Sequence, residues 1–238
     1  MSQSSSLPIN QLLAALPPSE FQQLAPHLEP IFLDPGQVLC EMGEEMKVAY
    51  FPGRAMISLV SIMEDGSTTE IGLIGNEGIV GLPIILGGDR SPSRAIVQIR
   101  GSALKLNAEI LKQAFHQGGK LQQLLLLYTQ ALLTQVSQSA ACNRQHTTEE
   151  RLARWLLSVQ DCVLSNQLPL TQEFISNMLG IRRSGVTVAA GILQQAGTIE
   201  YRRGMITIRN QEDLEAISCE CYRLVQSEFM RLLGSRRG

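Results

Sequence analysis

Two pairs of adjacent arginines stand out by their neighbours. Arg182 and Arg183 follow Gly180-Ile181 and precede Ser184 and Thr187, while Arg202 and Arg203 stand before Gly204 between two short β-branched runs. A guanidinium pairs bidentately with phosphate or with the major-groove edge of guanine, and hydroxyl side chains bond bases or phosphates. A helix starting near Arg182 would present Arg182, Arg183, Ser184 and Thr187 at its N-terminal end, where unpaired N–H groups also favour phosphate. Residues 198–201 and 205–208 pattern as two strands, which puts Arg202 and Arg203 at a hairpin tip. Such a tip suits neighbouring phosphates, which position a protein on a duplex while base contacts specify sequence.

Other chemistries find less support. The five cysteines, Cys40, Cys142, Cys162, Cys219 and Cys221, are odd in number and not spaced as a small disulfide framework. Reduced, buried thiols in a cytoplasm fit them best. Cys219 and Cys221, read as helical, would point about 200° apart and so not share an ion. Cys142 and His146 stand four residues apart and share a helix face, but one such pair is an incomplete site. No metal is therefore assigned. His27, His116 and His146 are scattered, and no Ser-His-Asp order, P-loop or HExxH motif occurs. No catalytic residue is assigned, and the chain is not read as an enzyme.

The elements that must carry the arginines read in the same terms. Thr171 can cap a short helix with Glu173 in its first turn, and Gly180 can end it in the left-handed conformation. A second helix then runs to about Gln195, with Val186, Ala189, Ala190 and Leu193 on its apolar side. Ser176 is the small residue that lets the two helices approach. This is a helix-turn-helix followed by a wing. Upstream, Thr147 and Glu150 form a capping box, and Leu152, Trp155, Leu156 and Val159 share one face.

The first part of the chain has another texture. Short helices around residues 9–29 give way to β-branched runs between regular turn signals, ending near Leu106, which suggests an antiparallel barrel or sandwich. A helical pattern starts after Asn107, breaks at Gly118-Gly119, and resumes with Leu121, Leu125, Tyr128, Leu132 and Val136 at helical spacing. Leu124, Leu126, Leu127, Ala131 and Leu133 lie outside that stripe, so the helix is expected to be covered on more than one side, either by the barrel and a second copy of itself or as an internal core helix without a dimer. The longest apolar run, near residues 124–127, stops at Tyr128 and Thr129, short of a membrane span. The opening MSQSSSLPIN has neither a basic start nor an apolar stretch and reads as a frayed tail rather than a secretion signal. Composition is that of an ordinary globular protein, 44% hydrophobic and 18% charged. Residues 1–140 hold 8 Lys and Arg against 12 Asp and Glu, and residues 141–238 hold 12 against 10. That asymmetry permits nucleic-acid binding by the second part without requiring it.

On RLARWLL (151–157), LPLTQEF (168–174), MLGIRRSGVT (178–187), LQQAGTIEYRRGMI (193–206) and CECY (219–222), the chain resembles the Crp/Fnr family of bacterial transcription regulators. The resemblance implies an α+β fold. An N-terminal antiparallel β-roll, jelly-roll-like, would span residues 1–118 as an effector-sensing domain. A long dimerisation helix would span 119–142, and a winged helix-turn-helix 143–238. It implies a cytoplasmic homodimer seamed by Leu121, Leu125, Tyr128, Leu132 and Val136, with palindromic double-stranded DNA and RNA polymerase as partners and no membrane. Arg182, Arg183, Ser184 and Thr187 would read the major groove, with Thr171 and Gln172 near phosphates. The roll looks like a cyclic-nucleotide-binding domain, but GNEGIVGLPIILGGDRSPSRAIVQ (75–98) departs from the phosphate cassette: Glu77 precedes Gly78, and Pro92 follows Arg90-Ser91. Glu77, Arg90, Ser91 and Arg94 are the candidate effector residues. A cyclic nucleotide suits them less than a scaffold role or another small molecule. An alternative is a ligand- or redox-sensing protein that acts through protein contacts, using Cys142 or the Cys219/Cys221 pair.

Overall fold

The computed structural model describes residues 10–234. Residues 1–9 of the supposed tail lie outside them, but Asn10 does not fray. It is 2% exposed, caps α1 (Gln11–Ala14) through Leu13 N, and donates from Nδ2 to the carbonyls of Pro52 and Gly78 at 3.0 and 2.8 Å. Helix α2 (Pro18–Leu24) follows.

Seven strands build the N-terminal part. They are β1 (Glu29–Leu33), β2 (Val38–Cys40), β3 (Val48–Pro52), β4 (Met56–Ile62), β5 (Thr68–Ile74), β6 (Arg94–Ile99) and β7 (Gly101–Asn107), with the short helix α3 (Leu82–Leu86) between β5 and β6. All pairings among them are antiparallel, in two sheets of order β1-β7-β3 and β2-β6-β4-β5. Period-two burial is plain in β6, where Ala95, Val97 and Ile99 point inward and Arg94, Ile96 and Gln98 do not. Leu33, Ala49, Phe51, Ile57, Val97 and Leu106 meet in the core. At the turn from β6 to β7 the backbone passes so close to β4's approach that a Cβ on Gly101 would lie 2.3 Å from Ala55 N.

Helix α4 (Ala108–His116) starts at Asn107, whose side chain accepts from Glu109 N, and α5 (Gly119–Gln145) follows the glycine pair. Tyr128 seats α5 on the roll: a Cβ on Gly78 would fall 2.1 Å from the Tyr128 hydroxyl. Gln135 Nε2 donates to Leu73 O of β5 at 3.2 Å. A second side of α5 is covered by the C-terminal helix. The chain runs through α6 (Thr148–Val163), β8 (Gln167–Leu168), α7 (Gln172–Leu179), α8 (Arg183–Gln195), β9 (Ile199–Arg202), β10 (Met205–Ile208) and α9 (Gln211–Ile217) to α10 (Cys221–Leu233). Helix α10 then lies back along α5 with Phe229 edge-on to Tyr128, ring centroids 6.3 Å apart.

Among the described residues a third side of α5 is open, and the residues expected at the seam are not the ones that line it. Leu121, Leu125, Tyr128 and Leu132 are buried within this one chain, and Val136 packs beside them. The first four face the chain's own core and leave almost no surface for a second copy, while Val136 is half-buried. The exposed residues include a stripe of Gln123, Leu126, Gln130, Leu133, Ser137, Ala140 and Arg144, spaced alternately by three and four, as in a coiled-coil seam. Leu126 is 48% and Leu133 65% exposed.

Candidate nucleic-acid interface

Local rules place the helix pair. Thr171 caps α7, its Oγ1 accepting from Phe174 N at 3.2 Å, and Gly180 ends it at φ +62°. Ser176 is buried and turns its hydroxyl onto Glu173 O, which removes bulk and an unpaired group together. Val186, Ala189, Ala190 and Leu193 of α8 are buried with Ile175 and Leu179 of α7 and with Leu152, Trp155 and Leu156 of α6. Buried Arg151 of α6 donates to Leu179 O at 2.5 Å.

That packing leaves Arg182, Arg183, Ser184 and Thr187 exposed at the start of α8. Arg182 is the N-cap residue, and no side chain caps this helix. The first N–H groups of α8 thus lack the side-chain partner that Thr171 gives α7. Thr187 is held in place: its hydroxyl lies 3.1 Å from Arg183 O and 3.2 Å from Gln172 Oε1, tying the two helix starts together.

The wing is a three-stranded sheet of order β8-β10-β9. The hairpin from β9 to β10 turns through Arg203 and Gly204, both at positive φ, +52° and +76°, as a two-residue type I′ turn requires. Arg202 and Arg203 are exposed at its tip. An open cleft of about 450 Å³ joins the parts, lined by Thr171, Gln172, Arg183, Tyr201, Arg203 and Gly204. Helix start and wing tip therefore face one space. Tyr201 was not singled out from the sequence. Its place there follows from the register of β9 on β10, which sets Tyr201 opposite Ile206.

The effector candidates are not brought together. Glu77 is buried and accepts from Gly75 N at 3.1 Å. Arg90 donates to Gly43 O at 2.7 Å on the surface, Ser91 to Ser93 O at 2.6 Å, and Arg94 pairs with Glu41 at 2.8 Å. Of the four, only Ser91 lines the roll's cavity of about 190 Å³. Its walls are apolar, among them Met46, Leu59, Ile79 and Val80, with Leu132 of α5.

The thiols also depart from expectation. Cys219 is not helical; it sits in the link between α9 and α10, and α10 begins only at Cys221. The 200° argument for separated thiols therefore does not apply, and Cys142, His146, Cys219 and Cys221 converge at the far end of α5. The Cys142 thiol is held below its usual range by its hydrogen bond with Cys219 and then, against the cost of burial, by the Arg154 charge. Cys219, its partner, is pushed up by that bond and by burial.

A β-roll joined by a long helix to a winged helix-turn-helix with bare arginines defines a DNA-binding regulator with a sensory-type domain. The family model for a Crp-like helix-turn-helix domain matches residues 150–217, and that for a cyclic nucleotide-binding domain matches residues 30–117. The chain belongs to the Crp/Fnr family and is a DNA-binding transcriptional regulator of that type. No curated protein matches the sequence. Solved structures of similar fold include FixK2 from Bradyrhizobium japonicum, with a TM-score of 0.70, 17% identity and coverage of 81% of this chain and 98% of that one. The c-di-GMP responsive global regulator CLP of Xanthomonas campestris has a TM-score of 0.65 at 13% identity, over 80% of this chain and 98% of that one. A CRP-family transcriptional regulator from Thermus thermophilus has a TM-score of 0.65 at 15% identity, over 87% and 98%. Among the described residues no helix is long and apolar enough to cross a membrane.

Proposed function

We propose that this protein is a cytoplasmic homodimer that binds a palindromic DNA site and acts on RNA polymerase. The reading rests on one observation: the uncapped start of α8 and the tip of the wing carry exposed arginines onto a shared cleft. Arg182, Arg183, Ser184 and Thr187 enter the major groove. Thr171, Gln172, Arg202 and Arg203 lie along the flanking phosphates. Leu126 and Leu133, with the polar residues spaced between them, seam the two copies of α5. A pair of recognition helices related by two-fold symmetry reads two half-sites.

The roll does not take a cyclic nucleotide in this reading. A cyclic phosphate needs a counter-charge. Arg94 is paired with Glu41, Arg90 reaches a surface carbonyl, and the cavity walls are apolar. Whatever small molecule the roll senses is correspondingly less polar.

Selection of genomic fragments by purified protein, with and without cyclic AMP and cyclic GMP, tests both statements. A palindrome should emerge without nucleotide. Arg183→Ala should then lose about 5- to 150-fold in affinity for it, the equivalent of about 1–3 kcal/mol, with relaxed preference at one position of each half-site. Uniform binding to all sequences, unchanged by that substitution, would overturn the reading.

A further inference from the structure

Three cysteines and a histidine, two from each of two distant segments, meet where α5 gives way to α6. Cys142 belongs to the last turns of α5 and His146 is its C-cap; Cys219 lies in the α9–α10 link and Cys221 opens α10. One donor atom from each lies within 4.8 Å of every other. Cys142 Sγ is 3.5 Å from Cys219 Sγ, and Cys221 Sγ is 3.5 Å from His146 Nδ1. Zinc–sulfur bonds of about 2.3 Å at tetrahedral angles put ligand sulfurs about 3.7 Å apart, so both edges are near the size that one zinc ion sets.

The surroundings match a built site. All three thiols are buried, at 0%, 4% and 1% exposure for Cys142, Cys219 and Cys221. His146 Nε2, the ring nitrogen other than the one beside Cys221 Sγ, lies 3.2 Å from Glu220 Oε2. A carboxylate on the outer nitrogen is the usual device that fixes a ligating imidazole and leaves its other nitrogen free to bind metal. Gln138 Nε2 donates to Cys221 Sγ at 3.1 Å, as an N–H does to a ligand thiolate. The donors are too close together to enclose a polynuclear iron–sulfur cluster, whose cysteines must straddle more than one iron.

We propose that Cys142, His146, Cys219 and Cys221 hold a single zinc ion that pins the α5–α6 junction to the start of α10. Three thiolates and one imidazole close the tetrahedron, so the ion is structural and leaves no position for water or substrate. Its thiol protons leave to solvent on binding. The pin fixes the joint through which the long helix meets the DNA-binding part.

Elemental analysis of reduced, full-length protein tests this. About one zinc per chain is expected, falling to background in Cys219→Ser and retained in Cys40→Ser and Cys162→Ser. Should Cys219→Ser fail to fold, the wild-type chain is stripped with a chelator and titrated with Co²⁺ alone. Thiolate-to-cobalt absorption and intense visible bands of a tetrahedral ion should saturate at about one equivalent and vanish on adding Zn²⁺. Iron with acid-labile sulfide in the anaerobically isolated protein, a Cys142–Cys219 disulfide in its place, or no tetrahedral cobalt spectrum would each overturn the proposal. None of these readouts involves DNA, so they stand or fall apart from the regulatory reading.

Discussion

Arg203 occupies a backbone position that arginine does not favour. Its φ of +52° is the left-handed region, and the first central position of a type I′ turn goes most readily to asparagine, aspartate or glycine. The local rule and the charge pull in opposite directions, and the charge is present. Arg203→Asn should therefore leave the melting temperature unchanged or raise the stability by up to about 1 kcal/mol. The same substitution should weaken DNA binding evenly across sequences and lower the salt slope by about one. Thermal denaturation and salt-titrated mobility shifts measure the two effects separately; a stability loss without a change in salt slope would make Arg203 a folding residue only. Residues governed by near neighbours were legible in the sequence: Asn107, Thr147 and Thr171 all cap as their spacing predicts. The metal-type cluster was not, because Cys142 and Cys219 are 77 residues apart and only the α9–α10 link, not helix periodicity, turns Cys219 toward its partners.

At the scale of elements, α5 shows what periodicity leaves undecided. Apolar residues all round its surface foretold several covering surfaces, but the sequence alone does not say which stripe meets which. The strongest stripe went to the chain's own roll, α10 took a second side, and a thinner stripe containing Leu126 and Leu133 stayed open. Wing strand β8 was missed for a related reason: two residues before Pro169 carry too little pattern, and only pairing with Ile206 and Thr207 defines it. Substitutions on the two faces of α5 should separate. Leu133→Glu puts a charge on the exposed stripe, so the chain should stay folded by circular dichroism while sedimentation shows at least about a tenfold loss of affinity for the proposed dimer, since like charges would then face each other across its seam. Leu125→Glu puts the same charge into a fully buried site and should abolish folding. A Leu133→Glu protein that sediments as wild type would place the seam elsewhere.

Across the whole molecule, the DNA-binding part is docked on the roll through a polar contact set in apolar surroundings. Glu70 of β5 accepts from Trp155 Nε1 at 2.8 Å and from Ser58 Oγ of β4 at 2.5 Å. Met56, Val60, Leu73 and Ile99 of the roll share one apolar cluster with Trp155, Leu156 and Met178. Leu59, next to Ser58, lines the roll's cavity together with Leu132 of α5. A molecule in that cavity would thus touch both the strand that holds Glu70 and the long helix. Coupling between the cavity and DNA then requires only that the docked and undocked arrangements differ in affinity for each ligand. Trp155→Phe keeps most of the ring packing and removes the donor to Glu70, a loss of about 1–3 kcal/mol at a charged acceptor. Hydrogen exchange should then rise in β5 and at the α6–α7 face while the roll's core stays protected. Because the docked arrangement already exposes Arg182 and Arg183, undocking in the proposed homodimer frees the spacing of its two recognition helices, and affinity for a palindromic site should fall while affinity for a half-site stays constant. Tighter binding to the palindrome would instead mean that the docked arrangement is the restrained one and that the Trp155–Glu70 contact works as a brake.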